Sequence, residues 1–510
     1  MLLDGSEEPV DGIRASTVDG LLRRSAARTP DRVALRFGDR EWTYAALDRG
    51  VSRVAGMFRR RGLHSGDRVI AHGRNSDAYL IGFLACSRAG LVHTPVNTAL
   101  TAEELRYVVD LSGAAAALVD VTAAESVPTP QTIPLRETED CVLDAAREGA
   151  VPDIVPDAAD SDLVQLMFTS GTTGRPKAAR LTHRSLMHQY VSAIHALRLE
   201  PDDHPLHAMP IYHVAQLHTF LVPYLAIGAT NELVESPVVD DLLDRAERDR
   251  IGSMFLAPTV WVRLANHPGL AARELSSLRK AYYGASTMPG PVLERLRRQL
   301  PTLGFFNCLG QSEAGPLTSA LPPEEHVRRP ESAGRPVLFV ELRVVDRSGR
   351  DAPVDEVGEL VYRSPQLCDG YWNAPEATAE AFRDGWFHSG DLARLDAEGY
   401  VFIVDRIKDV INTGGVLVAS REVEDVLYTH PAVAEAAVVG TPDPQWIEAI
   451  TAVVVPRFQV AERELLDYAR ERLAGFKVPK RVRFTDHLPR NGAGKLLKRV
   501  LRDQLASSSE

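Results

Sequence analysis

Apolar positions in the first third of the chain switch repeatedly between a helical and a strand period. Residues 18–27 place apolar side chains three and four apart, the spacing of one helix face. Residues 32–37 (Arg-Val-Ala-Leu-Arg-Phe) read as a strand closed by Gly38-Asp39. The pattern then predicts a long helix over 44–61, a strand over 67–71, a helix over 78–89 and a strand over 91–97. Thr101-Ala102-Glu103-Glu104 opens a further helix to 111, because a threonine followed three residues later by glutamate can form a capping box. A strand over 115–119 follows, and this alternation implies an α/β layer built on a mostly parallel sheet. The Pro- and Thr-rich stretch 127–134 reads as a surface loop without chemistry.

A second α/β unit runs from about 162 to 330. It opens on the apolar run 163–168, and residues 281–286 read as a strand ending in small side chains. From 331 to 404 the pattern becomes short and β-rich, with strands expected over 340–345, 358–362 and 400–404. The charge run Asp405-Arg406-Ile407-Lys408-Asp409 marks a boundary. Beyond it a helix over 421–428 and strands over 434–439 and 449–455 predict a smaller α+β domain.

Composition narrows the functional classes. At 510 residues the chain is long enough for more than one domain, and a net charge of −11 argues against nucleic acid or an anionic membrane as partner. The first eight residues carry acids where a signal peptide needs bases, and no apolar run approaches the ~20 residues of a membrane span. Cys86, Cys141, Cys308 and Cys368 lack C-x-x-C spacing, which suits reduced thiols. A cytoplasmic protein is expected. Seven histidines lie between His183 and His218, but their spacing fits no zinc pattern, so packed or solvated rings are expected. Only seven lysines occur, at 177, 280, 408, 477, 480, 495 and 498, so each merits inspection as a mobile ammonium.

The densest chemical signal is Phe168-Thr169-Ser170-Gly171-Thr172-Thr173-Gly174-Arg175-Pro176-Lys177. Glycines let backbone N–H groups turn toward an anion, hydroxyls add donors, and Lys177 adds charge for phosphate oxygens. The spacing is not that of a Walker A loop. It resembles the signature loop of the adenylate-forming superfamily, which includes acyl-CoA synthetases, luciferases and peptide-synthetase adenylation domains. Further segments resemble that family in its own motif order over nearly the whole chain.

The resemblance implies a fold and a set of site residues. The fold would be α/β, with a large N-terminal domain (1–404) of two α/β sheet subdomains, about 1–161 and 162–330, plus a small β-barrel at 331–404. A hinge at 405–408 would lead to a small mobile α+β C-terminal domain, 409–510. Thr169, Ser170, Gly171, Thr172, Thr173, Gly174 and Lys177 would hold the phosphates of ATP or AMP. Gly284, Ala285 and Ser286 would flank adenine, with Asn307 on its amino group. Leu309 stands where the family stacks an aromatic ring, and a lost ring–ring contact costs on the order of 1 kcal/mol. Gly310 and Ser312 would lie at the α-phosphate, and Glu313 would bind Mg²⁺. Pro210-Ile211-Tyr212-His213 resembles the family's aromatic–His element, which places His213 beside the acyl and phosphate groups. Asp391, within Trp386-Phe387-His388-Ser389-Gly390-Asp391, would accept from the ribose hydroxyls, and Arg406 would contact the nucleotide. Lys408 would be the hinge about which the C-terminal domain turns. Gly414 and Gly415 would flank the pantetheine tunnel, but the usual tyrosine and proline after them are replaced by Val416-Leu417-Val418-Ala419-Ser420. Lys495, on Asn491-Gly492-Ala493-Gly494-Lys495, would be the adenylation lysine.

The implied reaction is attack of a carboxylate on the α-phosphorus of ATP, followed by attack of a thiol on the acyl-adenylate. No acid occurs between Ile211 and Phe220 to pair a substrate ammonium, which favours a free carboxylic acid over an amino acid. The acid pocket is expected near 212–218, 257–261, 284–286 and 310–315. No carrier domain follows in the chain, so coenzyme A is the expected acceptor and the enzyme a monomer or homodimer. Two alternatives remain: a divergent member that mainly thioesterifies a preformed adenylate, and a ligase loading a separate carrier protein.

Overall fold

The computed structural model describes residues 16–121, 127–152, 154, 158–169, 176–286, 288–443, 445–490 and 496–507. Two sheets organise the N-terminal part. One is six-stranded, in the order Thr132–Pro134, Ala116–Val119, Arg68–His72, Val92–Pro95, Leu163–Thr169, Lys177–Thr182. Its neighbours are parallel except for the last two strands, which form an antiparallel hairpin. The other is nine-stranded, in the order Arg335–Pro336, Leu317–Leu321, Gly304–Gly310, Lys280–Gly284, Ser253–Phe255, Pro205–His207, Asn231–Leu233, Val33–Phe37, Arg40–Thr43. Its centre is parallel and its ends antiparallel.

Local sequence accounts for the helices. Thr101 and Glu104 form the expected capping box of Ala102–Ser112, which stops at Gly113 in the left-handed region. Helix Asp77–Ala89 is buried on every face, as an apolar sequence without a polar stripe requires. The expected helix over 18–27 is Val18–Arg28, and that over 44–61 is Tyr44–Arg60.

Sheet membership does not follow the expected division at 161/162. Strands Val33–Phe37 and Arg40–Thr43 join the nine-stranded sheet, while the hairpin 163–182 joins the six-stranded one. Periodicity names a strand but not its partner, and here Leu35 pairs with Asn231. The stretch 127–134 is also not all loop. Thr132–Pro134 is an edge strand pairing Ala116–Val119, a position where a strand tolerates proline.

Where a small barrel was expected, Glu341–Val345, Gly358–Arg363, Phe382–Arg383, Trp386–Leu395 and Val401–Arg406 form a five-stranded antiparallel sheet. Its last strand runs through Asp405 and Arg406, so these two positions of the expected hinge are sheet-paired, Leu392 facing Asp405 and Asp391 facing Arg406. The C-terminal lobe has a separate sheet of Val416–Val418, Ile411–Thr413, Ile447–Pro456, Val433–Asp443 and Arg481–Phe484. It encloses its own core around Val423, Leu427, Val438, Ile450, Val454 and Leu465. No helix among the described residues is long and apolar enough to cross a membrane.

Several buried polar groups of the large lobe are joined in networks, although His93 Nε2 and Thr94 Oγ1 are left without a partner among the described residues. Arg88 is buried between Asp19, at 2.6 Å, and Asp48, at 2.5 Å. Tyr190 donates to His218 Nδ1 at 2.7 Å, His218 Nε2 donates to Gln165 at 2.9 Å, and Gln165 Nε2 donates to His93 Nδ1 at 3.1 Å. His207 lies between Asn231 and Gln216, at 2.9 and 2.8 Å. His183, His207 and His218 are therefore packed rings.

Burial holds these imidazoles neutral. It pushes His93 and His218 down to about 3, and His183, His207 and His326 down to about 4. Because the folded values lie below the ~6.5 of free imidazole, the unfolded chain takes up more protons as pH falls. Each ring then removes up to about 1.4 kcal/mol of stability per pH unit between ~6.5 and its folded value. The thermal unfolding midpoint is expected to fall steadily from pH 6.5 to pH 5. A midpoint unchanged across that window in a calorimetric pH series would contradict it.

Candidate active site

The hairpin Leu163–Thr169/Lys177–Thr182 brings Thr169 opposite Lys177 at the carboxyl end of a parallel strand, where open α/β sheets bind ligands. Ser170, Gly171, Thr172, Thr173 and Gly174 lie outside the described residues. Pro176, at the edge of the loop, accepts from the Tyr107 hydroxyl at 3.3 Å. Glu313 sits beside this hairpin on the turn Ser312–Ala314. Its Oε1 accepts from Thr169 Oγ1 at 3.1 Å and from the Tyr371 hydroxyl at 3.0 Å. Lys177 Nζ lies 5.4 Å from the centre of the Tyr371 ring.

Backbone pairing places Tyr371 there. Arg180 N donates to Gly370 O at 3.0 Å and Trp372 N to Ala178 O at 2.8 Å, so segment 370–372 is laced onto the hairpin strand. Burial first, and then the Glu313 charge, push the Tyr371 phenol well above its usual value, so it stays a donor.

On the nine-stranded sheet, parallel strands Lys280–Gly284 and Gly304–Gly310 end side by side. A Cβ on Gly284 would stand 2.3 Å from Cys308 O, and one on Gly310 would stand 1.7 Å from Pro316 O. Strand packing alone therefore demands both glycines, whatever binds beyond them. Ala285 follows with φ +64° and is exposed, and Ser286 is half-buried. The Asn307 amide donates to Ser332 O at 2.9 Å, which leaves its carbonyl oxygen as an acceptor. Leu309 packs against the core of this sheet.

Asp391 is buried on strand Trp386–Leu395. Its Oδ1 meets Arg406 Nε at 2.5 Å, and its Oδ2 accepts from Gln311 Nε2 at 2.7 Å. Gln311 also donates to Ser389 O at 3.0 Å. One side chain from the Gly310–Glu313 segment thus fixes the acid on the third sheet. Sequence reasoning assigned no role to Gln311 or Tyr371. The signals were their positions, between Gly310 and Ser312 and directly after Gly370.

His213 precedes a π-helix, Ala215–Leu221, and its Nδ1 accepts from Ala215 N at 3.3 Å. Such helices concentrate at functional sites. Gln216 and His218, paired as described above, pin this one to both sheets. Tyr212, its phenol pushed up to about 12 by burial, donates to Asn97 at 3.1 Å.

In the C-terminal lobe, Lys408 occupies the exposed turn after Val401–Arg406. Gly414 and Gly415, both with positive φ, form the tip between Ile411–Thr413 and Val416–Val418. The Gly414 N–H donates to Trp446 O at 2.6 Å. Among the described residues, no hydrogen bond or ion pair joins this tip to Glu313 or Asp391. Lys495 lies outside the described residues.

The large lobe therefore offers an ammonium and hydroxyls at the hairpin, a carboxylate at Glu313 and a second carboxylate at Asp391. Among the described residues Glu313 Oε2 makes no hydrogen bond, so one oxygen is open to a hard cation, which takes oxygen ligands. Magnesium at Glu313 fits this donor set.

Comparison with known proteins agrees with this geometry. The chain is 40% identical to a feruloyl-CoA synthase from an Amycolatopsis species over 94% of this chain and 97% of that one. It is 34% identical to a fatty acid–[acyl-carrier-protein] ligase from Streptomyces coeruleorubidus over 95% of each. The Bacillus subtilis o-succinylbenzoate-CoA synthetase, solved with its acyl-adenylate intermediate, superposes with TM-score 0.85 at 30% identity, covering 95% of this chain and 97% of that one. The AMP-binding enzyme family matches residues 22–372 and the AMP-binding enzyme C-terminal domain matches 422–495, so the chain belongs to the AMP-binding enzyme family.

Proposed function

We propose that the protein is an AMP-forming ligase that joins a carboxylic acid to coenzyme A. The observation that carries this reading is the convergence of Thr169, Lys177, Glu313 and Tyr371 at one hairpin tip. The acid's oxygen attacks the α-phosphorus of ATP, the bond to the bridging oxygen breaks, and pyrophosphate leaves. The thiol of CoA then attacks the acyl carbonyl, and AMP leaves with the former carboxylate oxygen. Both reactants of the first step are anions, so the chain's task is to place them and offset their charge. Lys177, the loop 170–174 and Lys495 serve the phosphates, and Asp391, steadied by Gln311 and Arg406, receives the ribose. Magnesium bound at Glu313 would supply further charge neutralisation. The two lobes divide at the turn 407–409, with Lys408 the residue about which the C-terminal lobe turns between steps.

The 40% identity to a feruloyl-CoA synthase supports a hydroxylated cinnamic acid as the substrate class. The absence of an acid from Ile211 to Phe220 favours a free acid over an amino acid. The net charge of −11 supports an enzyme of small molecules without nucleic-acid partners. The relative named as an acyl-carrier-protein ligase supports a second reading, transfer to a carrier protein.

A panel of cinnamic, benzoic, indoleacetic and fatty acids with ATP, Mg²⁺ and CoA, read by mass spectrometry, tests both readings. Acyl-CoA and AMP are expected, with hydroxycinnamates turned over fastest. AMP formation without thioester would favour the carrier reading, and no AMP with any acid would overturn the ligase reading.

Lys495→Ala is expected to lower acid-dependent pyrophosphate exchange by about 10²-fold or more while CoA capture of synthetic acyl-adenylate persists. Equal loss of both half-reactions would remove Lys495 from its assigned step. Gln311→Ala, which takes a charge-assisted bond from Asp391, is expected to raise the KM for ATP about tenfold in steady-state kinetics. Tyr371→Phe is expected to lower kcat of adenylation by a similar factor.

A further inference from the structure

Two of the four expected hinge positions belong to the large lobe by backbone pairing: Asp405 faces Leu392 and Arg406 faces Asp391 on the adjacent strand. Residue 420 belongs to the small lobe, as the first residue of helix Ser420–Tyr428, whose Val423 and Leu427 lie in that lobe's core. Contacts between Asp405 and Ser420 therefore cross the turn that contains Lys408.

Those contacts are dense. The buried Ser420 donates to Asp405 Oδ2 twice, from its N–H at 2.7 Å and from its hydroxyl at 2.7 Å. Asp405 Oδ1 accepts from Arg406 N at 2.8 Å. On its other side the Ser420 hydroxyl accepts from Lys498 Nζ at 2.5 Å, and Lys498 pairs with Glu424 at 2.7 Å. Glu424 in turn accepts from Val438 N at 2.8 Å. The helix has no side-chain cap of its own at Ala419, so the Asp405 carboxylate, from the other lobe, satisfies its first N–H. Lys498 begins the last helix, three residues beyond Lys495.

We infer that Ser420, bridging Asp405 and Lys498, is a latch across the hinge: a positioning residue that sets how readily the C-terminal lobe leaves the orientation seen here. The inference rests on the two-step reading for its effect on catalysis, but the latch itself is a statement about the hinge. A proline at 420 has neither the N–H nor the hydroxyl. It could form neither bond to Asp405.

The backbone permits that test. Position 420 is the first helical residue, where proline is favoured, and Ala419 before it is extended at φ −69°, ψ 122°, as a residue preceding proline must be. Ser420→Pro should therefore fold, with Ser420→Ala removing only the hydroxyl and Ser420→Thr restoring it.

The first readout is limited trypsin digestion of the unliganded full-length protein, with cleavage after Arg406 and Lys408 mapped by mass spectrometry. Hinge cleavage is expected to quicken several-fold in Ser420→Ala, more in Ser420→Pro, and to return toward the parent rate in Ser420→Thr. The second is the ratio of pyrophosphate exchange to CoA capture of synthetic acyl-adenylate, expected to change about fivefold or more, since a hydrogen bond to a charged group is worth about a factor of ten. Unchanged hinge cleavage in Ser420→Pro overturns the latch. So does an equal fall of both half-reactions in step with the melting temperature, which marks a merely structural serine. If the parent protein performs neither half-reaction with any acid, the ligase reading fails, and the trypsin result still decides the latch.

Discussion

One carboxylate oxygen is the meeting point of the large lobe. Glu313 Oε1 takes a hydroxyl from Thr169, on the six-stranded sheet, and another from Tyr371, on the segment leading to the third sheet. Glu313 itself follows the central strands of the nine-stranded sheet. A charge left half-buried without donors is costly, so the three units are held together by the need to satisfy it. The hairpin's backbone bonds to segment 370–372 make that convergence rigid, because Tyr371 cannot move without breaking main-chain pairs. A second tie of the same kind is Gln311 on Asp391, two residues before Glu313, so both carboxylates answer to one short segment, Gly310–Glu313.

Preorganisation of this sort is what charge chemistry needs. Reaction between two anions is slow chiefly because their charges repel, and flexible dipoles would have to reorganise as the charge moves. Groups already fixed by sheet packing avoid that reorganisation. The π-helix after His213 belongs to the same economy of motion. Its wider turn is held in register by Gln216 on His207 and by His218 on Gln165 and Tyr190.

Much of this was legible in the sequence, and the illegible part has a physical cause. The capping box at Thr101 and the ends of helices Val18–Arg28 and Tyr44–Arg60 are local signals, and these were found within a residue. The loop at 169–177 stood out by its glycines, hydroxyls and lysine, and the Glu313 and Asp391 segments by their resemblance to motifs of the adenylate-forming family. Pairing between distant strands left no local trace: nothing about Val33–Phe37 announces Asn231 as a neighbour. Tyr371 and Gln311 were missed for the same reason, since their significance lies in what the topology sets beside them. Gly284 and Gly310 show a second, packing cause for the same residues. Their spacing suggests ligand approach, yet main-chain carbonyls at 2.3 and 1.7 Å from a would-be Cβ already require glycine.

The departures after Gly415 gain a meaning only in three dimensions. Ser420 sets a main-chain donor and a hydroxyl donor beside the buried Asp405 carboxylate, and such donors are not neutral. Asp405 is pinned by its strand, so the bonds it makes to Ser420 cannot follow the small lobe if that lobe turns at Lys408. Turning must either break two bonds to a carboxylate or carry Asp405 out of its sheet register. The two costs differ, because the first lies within ordinary hydrogen-bond energies and the second disrupts the pair that also positions Arg406 on Asp391. The lobe is therefore expected to yield at Ser420 first, which makes this residue, and not the strand, the point where sequence change would tune the hinge.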